Sequence, residues 1–372
     1  MSIFRDEMLN DEASASTKSS SSRSARSKKR KAEDMQDTTI HFDNKGDLRL
    51  QVGTEERIFV VCSRTVSRAS EAFERMLHGP YAERKPADPN IDWVVKLPED
   101  SARGLEVVLN VIHARFKLIP ESLGPDVLFH VIAVADKYDM IEALKPWCKQ
   151  WLAPLEEPEP GSIPLSQALQ LLWTAWRLGS RALYNSLAGD LVLRIESKRL
   201  IFPAADFGDY YLSNHQFSKM EGFKLANSAS LIDPIVKARL EILNSMVEEV
   251  LDLKGRLKNP QSSSCKSTNT NAMIDPNTCK RMLMGSVYMH EDDWYCFPPS
   301  GADVNETIAK FQAVTMQKLI RTFTTLPGHK LCNPADELNQ IIAKAKEKTK
   351  YYRFVDWSMD RYFRQQAEKL GL

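Results

Sequence analysis

Hydrophobic residues follow two periods in turn from residue 47 onward. Leu48, Leu50 and Val52 alternate with polar neighbours, the pattern of a strand with one buried face. Gly53-Thr54-Glu55-Glu56 reads as a turn. Arg57-Ile58-Phe59-Val60-Val61 then reads as a second strand, apolar on both faces and therefore central. Next, Val66, Ala69, Phe73, Met76 and Leu77 recur at helical spacing until His78-Gly79-Pro80 ends the run. Trp93, Val95 and Leu97 alternate again and predict a third strand. Leu105, Val108, Leu109, Ile112 and Phe116 mark the inner face of an amphipathic helix. Leu128, Val131, Ile132, Ala135 and Tyr138 do the same for a helix opened by Pro125. Pro146 should split the segment after Ile141 and Leu144 into two short helices, because a proline breaks the ladder of a helix interior.

Residues 154–164, crowded with Pro and Glu, read as a linker. Beyond them the patterns are helical. Leu169, Leu172, Trp173, Trp176 and Leu183 predict helix over 165–200, with both tryptophans in the core. Val236, Leu240, Leu243, Val247, Val250 and Leu257 predict one long helix over 233–258, an ordinary bundle helix or a short coiled coil interrupted by Lys254. Residues 259–275, rich in Ser, Asn and Thr, read as a loop, and helical spacing returns near 303–325 and 335–370. The fold class expected is α+β: a small, mostly antiparallel sheet capped by helices over 41–153, then an all-α region over 165–372.

Residues 1–40 change the picture at the other end. Serine dominates them and large apolar residues are sparse, so they bury too little surface to offset chain entropy and predict a disordered tail. Net charge is +1, from 50 basic and 49 acidic residues, so no global field favours nucleic acid or membrane. Locally, Lys28, Lys29, Arg30 and Lys31 form a compact basic tetrad that suits an acidic receptor groove. The expected location is the nucleus, with the cytoplasm as the alternative. Six cysteines spread over 372 residues do not make a disulfide scaffold. The first residues lack the basic-then-apolar order of a signal peptide, and no apolar run reaches the roughly 18–20 residues of a membrane span. A reducing compartment and no membrane partner are therefore expected.

Candidate chemistry is sparse. No phosphate loop, nucleophile elbow or His-Glu-x-x-His appears, which argues against an enzyme. No zinc-finger spacing supports direct sequence-specific DNA binding. Cys265, Cys279, His329 and Cys332 carry the ligand types of a structural zinc site, and His329 and Cys332 have the close spacing of a ligand pair. His290 and Cys296 are rival ligands. The alternative is a set of unligated thiols and a surface histidine, with no cofactor.

The element order over 47–152 resembles the BTB/POZ family in its fungal form. Gly46-Asp47-Leu48, Phe59-Val60-Val61, the run Val66 to Leu77 (which looks like the family's helical pair), Leu97-Pro98-Glu99-Asp100, Val111-Ile112-His113 and Ala135-Asp136-Lys137-Tyr138 carry the likeness. The resemblance implies a non-catalytic interaction protein that associates with itself, as a homodimer, or with another BTB chain. Asp47 matches the acidic partner of a charged groove in DNA-binding members, but Ser63 stands where they have a basic residue. Tyr81-Ala82-Glu83 has the hydrophobic-x-Glu form found in adaptors for cullin-type ubiquitin ligases, and Met76, Leu77, Tyr81 and Glu83 are the expected partner-binding face. A cullin adaptor and a nuclear transcription cofactor are the alternative functions.

Overall fold

The two-residue period becomes strands where it is expected. The computed structural model describes residues 39–156, 159, 161–196, 231–259, 265–266, 276–325 and 329–372. Within them β1 is Ile40–His41, β2 is Leu48–Val52, β3 is Arg57–Val61 and β4 is Val94–Leu97. β2 and β3 form a hairpin with Leu50 opposite Phe59, and Gly53 turns the chain at a φ of 73°, a conformation that strains other residues. The strand order is β1-β3-β2-β4. The sheet is mixed rather than mostly antiparallel: only β2–β3 is antiparallel, while β1–β3 and β2–β4 are parallel. Connectivity explains the correction. β4 follows a helical crossover, which returns the chain in the direction of β2.

Helices cover this sheet. The helical run from Val66 to Leu77 is two helices, α1 (Ser63–Ala69) and α2 (Glu71–His78). Ser70 divides them, and its Oγ accepts the Phe73 N–H as the cap of α2. α3 (Ala102–Ile112) and α4 (Pro125–Lys137) approach closely because Gly104 has no side chain; a Cβ there would lie 2.4 Å from the His130 carbonyl oxygen. Val108 and Leu109 from α3 and Leu128, Val131 and Ile132 from α4 are fully buried in one core with Leu48, Leu50, Phe59 and Phe73. Each such side chain contributes about 1.5–3 kcal/mol by leaving water. Ile112 is only half buried. Pro146 sits in the first turn of α5 (Lys145–Leu152), after a 3-10 turn at Ile141–Leu144, as its chemistry demands.

The remaining helices are α6 (Leu165–Leu178), α7 (Arg181–Arg194), α8 (Asp233–Lys258), α9 (Pro276–Met289), α10 (Glu291–Tyr295), α11 (Ile308–Lys310), α12 (Gln317–Thr322), α13 (Ala335–Tyr351) and α14 (Trp357–Leu370). A π-helical turn, Phe311–Met316, joins α11 to α12. α8 buries Ile235, Ile242, Leu243, Met246, Val247 and Val250 on more than one face and packs on α7, α9 and α13. That is a bundle helix, and Leu240 of the expected stripe is exposed. Arg239 is buried in α8 and donates to the carbonyls of Ile195, Val304 and Glu306 at 3.1, 2.8 and 2.7 Å.

The core continues across 154–164. Phe129 of α4 meets Trp173 of α6 edge to face at 5.5 Å. The Asp136 carboxylate pairs with Arg177 at the end of α6, and Arg177 donates to the Tyr362 hydroxyl of α14 at 2.8 Å. Tyr362 stacks flat on Trp176 at 4.4 Å. Burial raises the pKa of Asp136, and the Arg177 charge opposes that rise without cancelling it. Gly179 ends α6 at a φ of 81°, and a Cβ there would lie 2.5 Å from the Ala367 backbone nitrogen, so α14 rests on the α6–α7 turn. No helix among the described residues is long and apolar enough to cross a membrane. The serine-rich tail with Lys28, Lys29, Arg30 and Lys31 lies outside the described residues, as does most of the 259–275 loop.

Candidate functional site

The segments Val66 to Leu77, Leu97 to Asp100 and Ala135 to Tyr138 touch one another. Tyr138 donates its hydroxyl to Asp100, and Lys137 reaches the other oxygen of the same buried carboxylate. Burial and the Asp100 charge push the Tyr138 hydroxyl far above its ordinary pKa, so it remains a donor. Ser70 donates to the Tyr138 carbonyl, and Phe73 stacks on the Tyr138 ring at 4.2 Å. Asp47, expected at a charged groove, instead accepts the backbone N–H and the hydroxyl of Ser63, both at 2.8 Å. Burial works against its ionisation, but the Ser63 hydrogen bonds outweigh it and hold the carboxyl below its usual range. Its acceptor capacity is largely spent on the first turn of α1, with Lys85 a further 4.0 Å away.

The expected partner-binding face is divided by the fold. Leu77 is 1% exposed and belongs to the core, which corrects its assignment to a surface. It points inward because Phe73 and Leu77 share the inner face of α2 at i and i+4. Met76 is half buried against the same core. Tyr81 is 54% exposed, and Glu83 is partly exposed. Trp93 fixes the connection that carries them: its indole N–H donates to the Glu83 carbonyl at 2.7 Å, and the Lys85 ammonium lies 5.7 Å from its ring centroid. Ile91, on the same connection, is 59% exposed. Neither the Trp93 anchor nor Ile91 follows from periodicity, which reads Trp93 only as an inward strand position.

The sulfur and imidazole donors come from three chain segments and converge. Cys265 lies between α8 and α9, Cys279 in the first turn of α9, and His329 precedes and Cys332 ends the 3-10 turn Lys330–Cys332 before α13. One ligand atom from each lies within 4.8 Å of all the others. The Cys265 Sγ is 3.2 Å from His329 Nδ1 and 3.7 Å from Cys332 Sγ, and Cys332 Sγ is 3.9 Å from His329 Nδ1. Burial pushes the Cys279 thiol up to about 12, and hydrogen bonding and charge from Cys332 and Cys265 add to the rise. The rival ligands are elsewhere: His290 pairs with Asp293 at 3.7 Å, and Cys296 is exposed. No disulfide forms among the described residues.

A cleft of 680 Å³ lies beside this cluster, lined by Glu248, Glu249, Asp252, Arg256, Lys266 and Leu331 among others. Much of its charge is matched within the chain. Arg256 pairs with Asp252 and Glu337, and Lys344 pairs with Glu249 at 2.8 Å. No family model, curated protein or solved structure matches the chain.

Proposed function

We propose that the chain is a non-catalytic protein-interaction protein that acts through a BTB/POZ-like unit at 41–153, binding itself or another BTB chain. The supporting observation is the α2–β4 connection. Trp93 holds it by a hydrogen bond to the Glu83 carbonyl, while Tyr81 and Ile91 stand exposed on it. Aromatic and large apolar side chains on a pre-organised surface segment are what a partner buries at the centre of an interface. A second reading is favoured by the same segment: Tyr81-Ala82-Glu83 suits an adaptor for a cullin-type ubiquitin ligase. The nuclear-cofactor alternative rests on the basic tetrad, with no support from the Asp47 site.

The test compares the full chain with its Tyr81→Ala/Glu83→Ala variant. Alanine at 83 keeps the carbonyl that Trp93 uses, so thermal melting should match the wild type while captured partners fall at least tenfold, a loss of about 1.4 kcal/mol. Recovery of a cullin by the wild type alone selects the adaptor reading. Recovery of only a second copy selects self-association. Retention of every partner by a normally folded variant overturns the reading.

A further inference from the structure

We propose that Cys265, Cys279, Cys332 and Nδ1 of His329 bind one zinc ion as a closed structural centre. The inference does not rest on the interaction reading. A tetrahedral zinc with bonds of about 2.3 Å to sulfur and 2.0–2.1 Å to nitrogen sets its donors roughly 3.5–3.8 Å apart. The Cys265–Cys332 sulfurs are 3.7 Å apart, and the two sulfur–nitrogen distances to His329, 3.2 and 3.9 Å, bracket the expected value. The full set closes within 4.8 Å, so small side-chain shifts complete the tetrahedron.

The surroundings favour a bound cation. The Lys266 backbone N–H donates to Cys332 Sγ at 3.3 Å, which supports a thiolate. Cys279 stands in the first turn of α9, where the helix dipole favours negative charge. His329 is 2% exposed and turns Nδ1 to the sulfurs. A disulfide between Cys265 and Cys332 is a poor alternative, since it needs a sulfur separation of about 2.05 Å and leaves Cys279 and His329 without a role.

Ligand chemistry selects the ion and its use. Three thiolates and an imidazole are soft to borderline donors, which suit zinc and disfavour magnesium and calcium. Four protein ligands fill the tetrahedron and leave no position for a substrate or an activated water, so the centre is structural. Its task follows from the chain positions it joins. Cys265 lies 64 residues from His329 and 67 from Cys332. The ion therefore clamps the segment after α8, the start of α9 and the turn into α13 at one point.

The experiment uses the full chain, purified under reducing conditions, incubated with excess zinc, desalted and assayed by elemental analysis. The wild type is expected to retain about one zinc per chain, the complement of one closed four-ligand site. Cys279→Ser/Cys332→Ser should retain at least tenfold less, and Cys62→Ser/Cys296→Ser should retain the wild-type amount. His329→Cys keeps four ligands; it should hold zinc and, loaded with cobalt(II), show a stronger sulfur-to-cobalt absorption than the wild type. That arm stands even when the double serine variant does not fold. A folded wild type holding less than about a tenth of an equivalent overturns the proposal. So does a double serine variant that holds as much zinc as the wild type, or a His329→Cys variant whose cobalt spectrum is unchanged.

Discussion

Burial favours the neutral form of His113. Its Nε2 accepts the Cys62 backbone N–H at 3.2 Å, so Nδ1 carries the proton and donates to the Leu109 carbonyl at 3.0 Å. Burial lowers its pKa below the ordinary histidine value; the Leu109 carbonyl opposes that and is outweighed. A depressed histidine contributes stability above its unfolded pKa, and this is lost as pH falls through the lower folded value. The chain should therefore lose melting temperature below about pH 6.5, the unfolded histidine value, and His113→Phe should flatten part of that decline. Ring titration by NMR gives the direct check: a folded His113 pKa at or above the free value would refute the assignment. Leu109, fully buried beside it, tolerates charge far less. Leu109→Asp should cost several kcal/mol and abolish cooperative unfolding, because the carboxylate would have no partner.

At the scale of elements, Gly179 is the tightest constraint. It needs a positive φ, and the backbone of α14 occupies the space a Cβ would fill. Gly179→Ala should cost more than about 2 kcal/mol, from left-handed strain of about 1–2 kcal/mol and the displacement of α14. Denaturant melts would show a lower midpoint, whereas an unchanged midpoint would mean that α14 does not rest there. Elements with a sustained period were legible in the sequence: β2, β3, β4, α3, α4 and α8 all lie on residues whose spacing predicts them. The split into α1 and α2 was legible only through the family resemblance, which implies a helical pair over Val66 to Leu77; periodicity alone does not show it, because i, i+3 and i+4 spacing persists across both helices. β1 has two residues, too few to carry a period, and its parallel pairing depends on distant chain. The metal-ligand candidates were legible as types, since cysteine and histidine announce their chemistry. Their convergence was not, because spacings of 64 and 67 residues contain no geometry.

Across the whole molecule, the Asp136–Arg177–Tyr362 chain ties the sheet-bearing unit to the helical body. Arg177→Ala should destabilise the full chain by about 3 kcal/mol, the lower end of the cost of breaking a buried pair, because Arg177 is partly exposed. A double-mutant cycle with Asp136→Ala measures the coupling, and a coupling near zero would show the contact to be decorative. A fragment of 41–153 should melt below the full chain, since it exposes Phe129 and strips Asp136 of its cation; equal melting would show the seam to be unimportant. The same seam has a consequence in time. Tyr362 is made 185 residues after Arg177. At about 5–20 residues per second of synthesis, the exposed flank of Trp176 waits roughly 10–40 s on the ribosome for the ring that covers it. During that interval the nascent chain shows an aromatic surface that the finished protein hides. Chaperones that recognise exposed apolar surface should engage the growing chain once α6 emerges and release it when α14 arrives. A message truncated before codon 357 should yield a product that keeps the chaperone and is degraded.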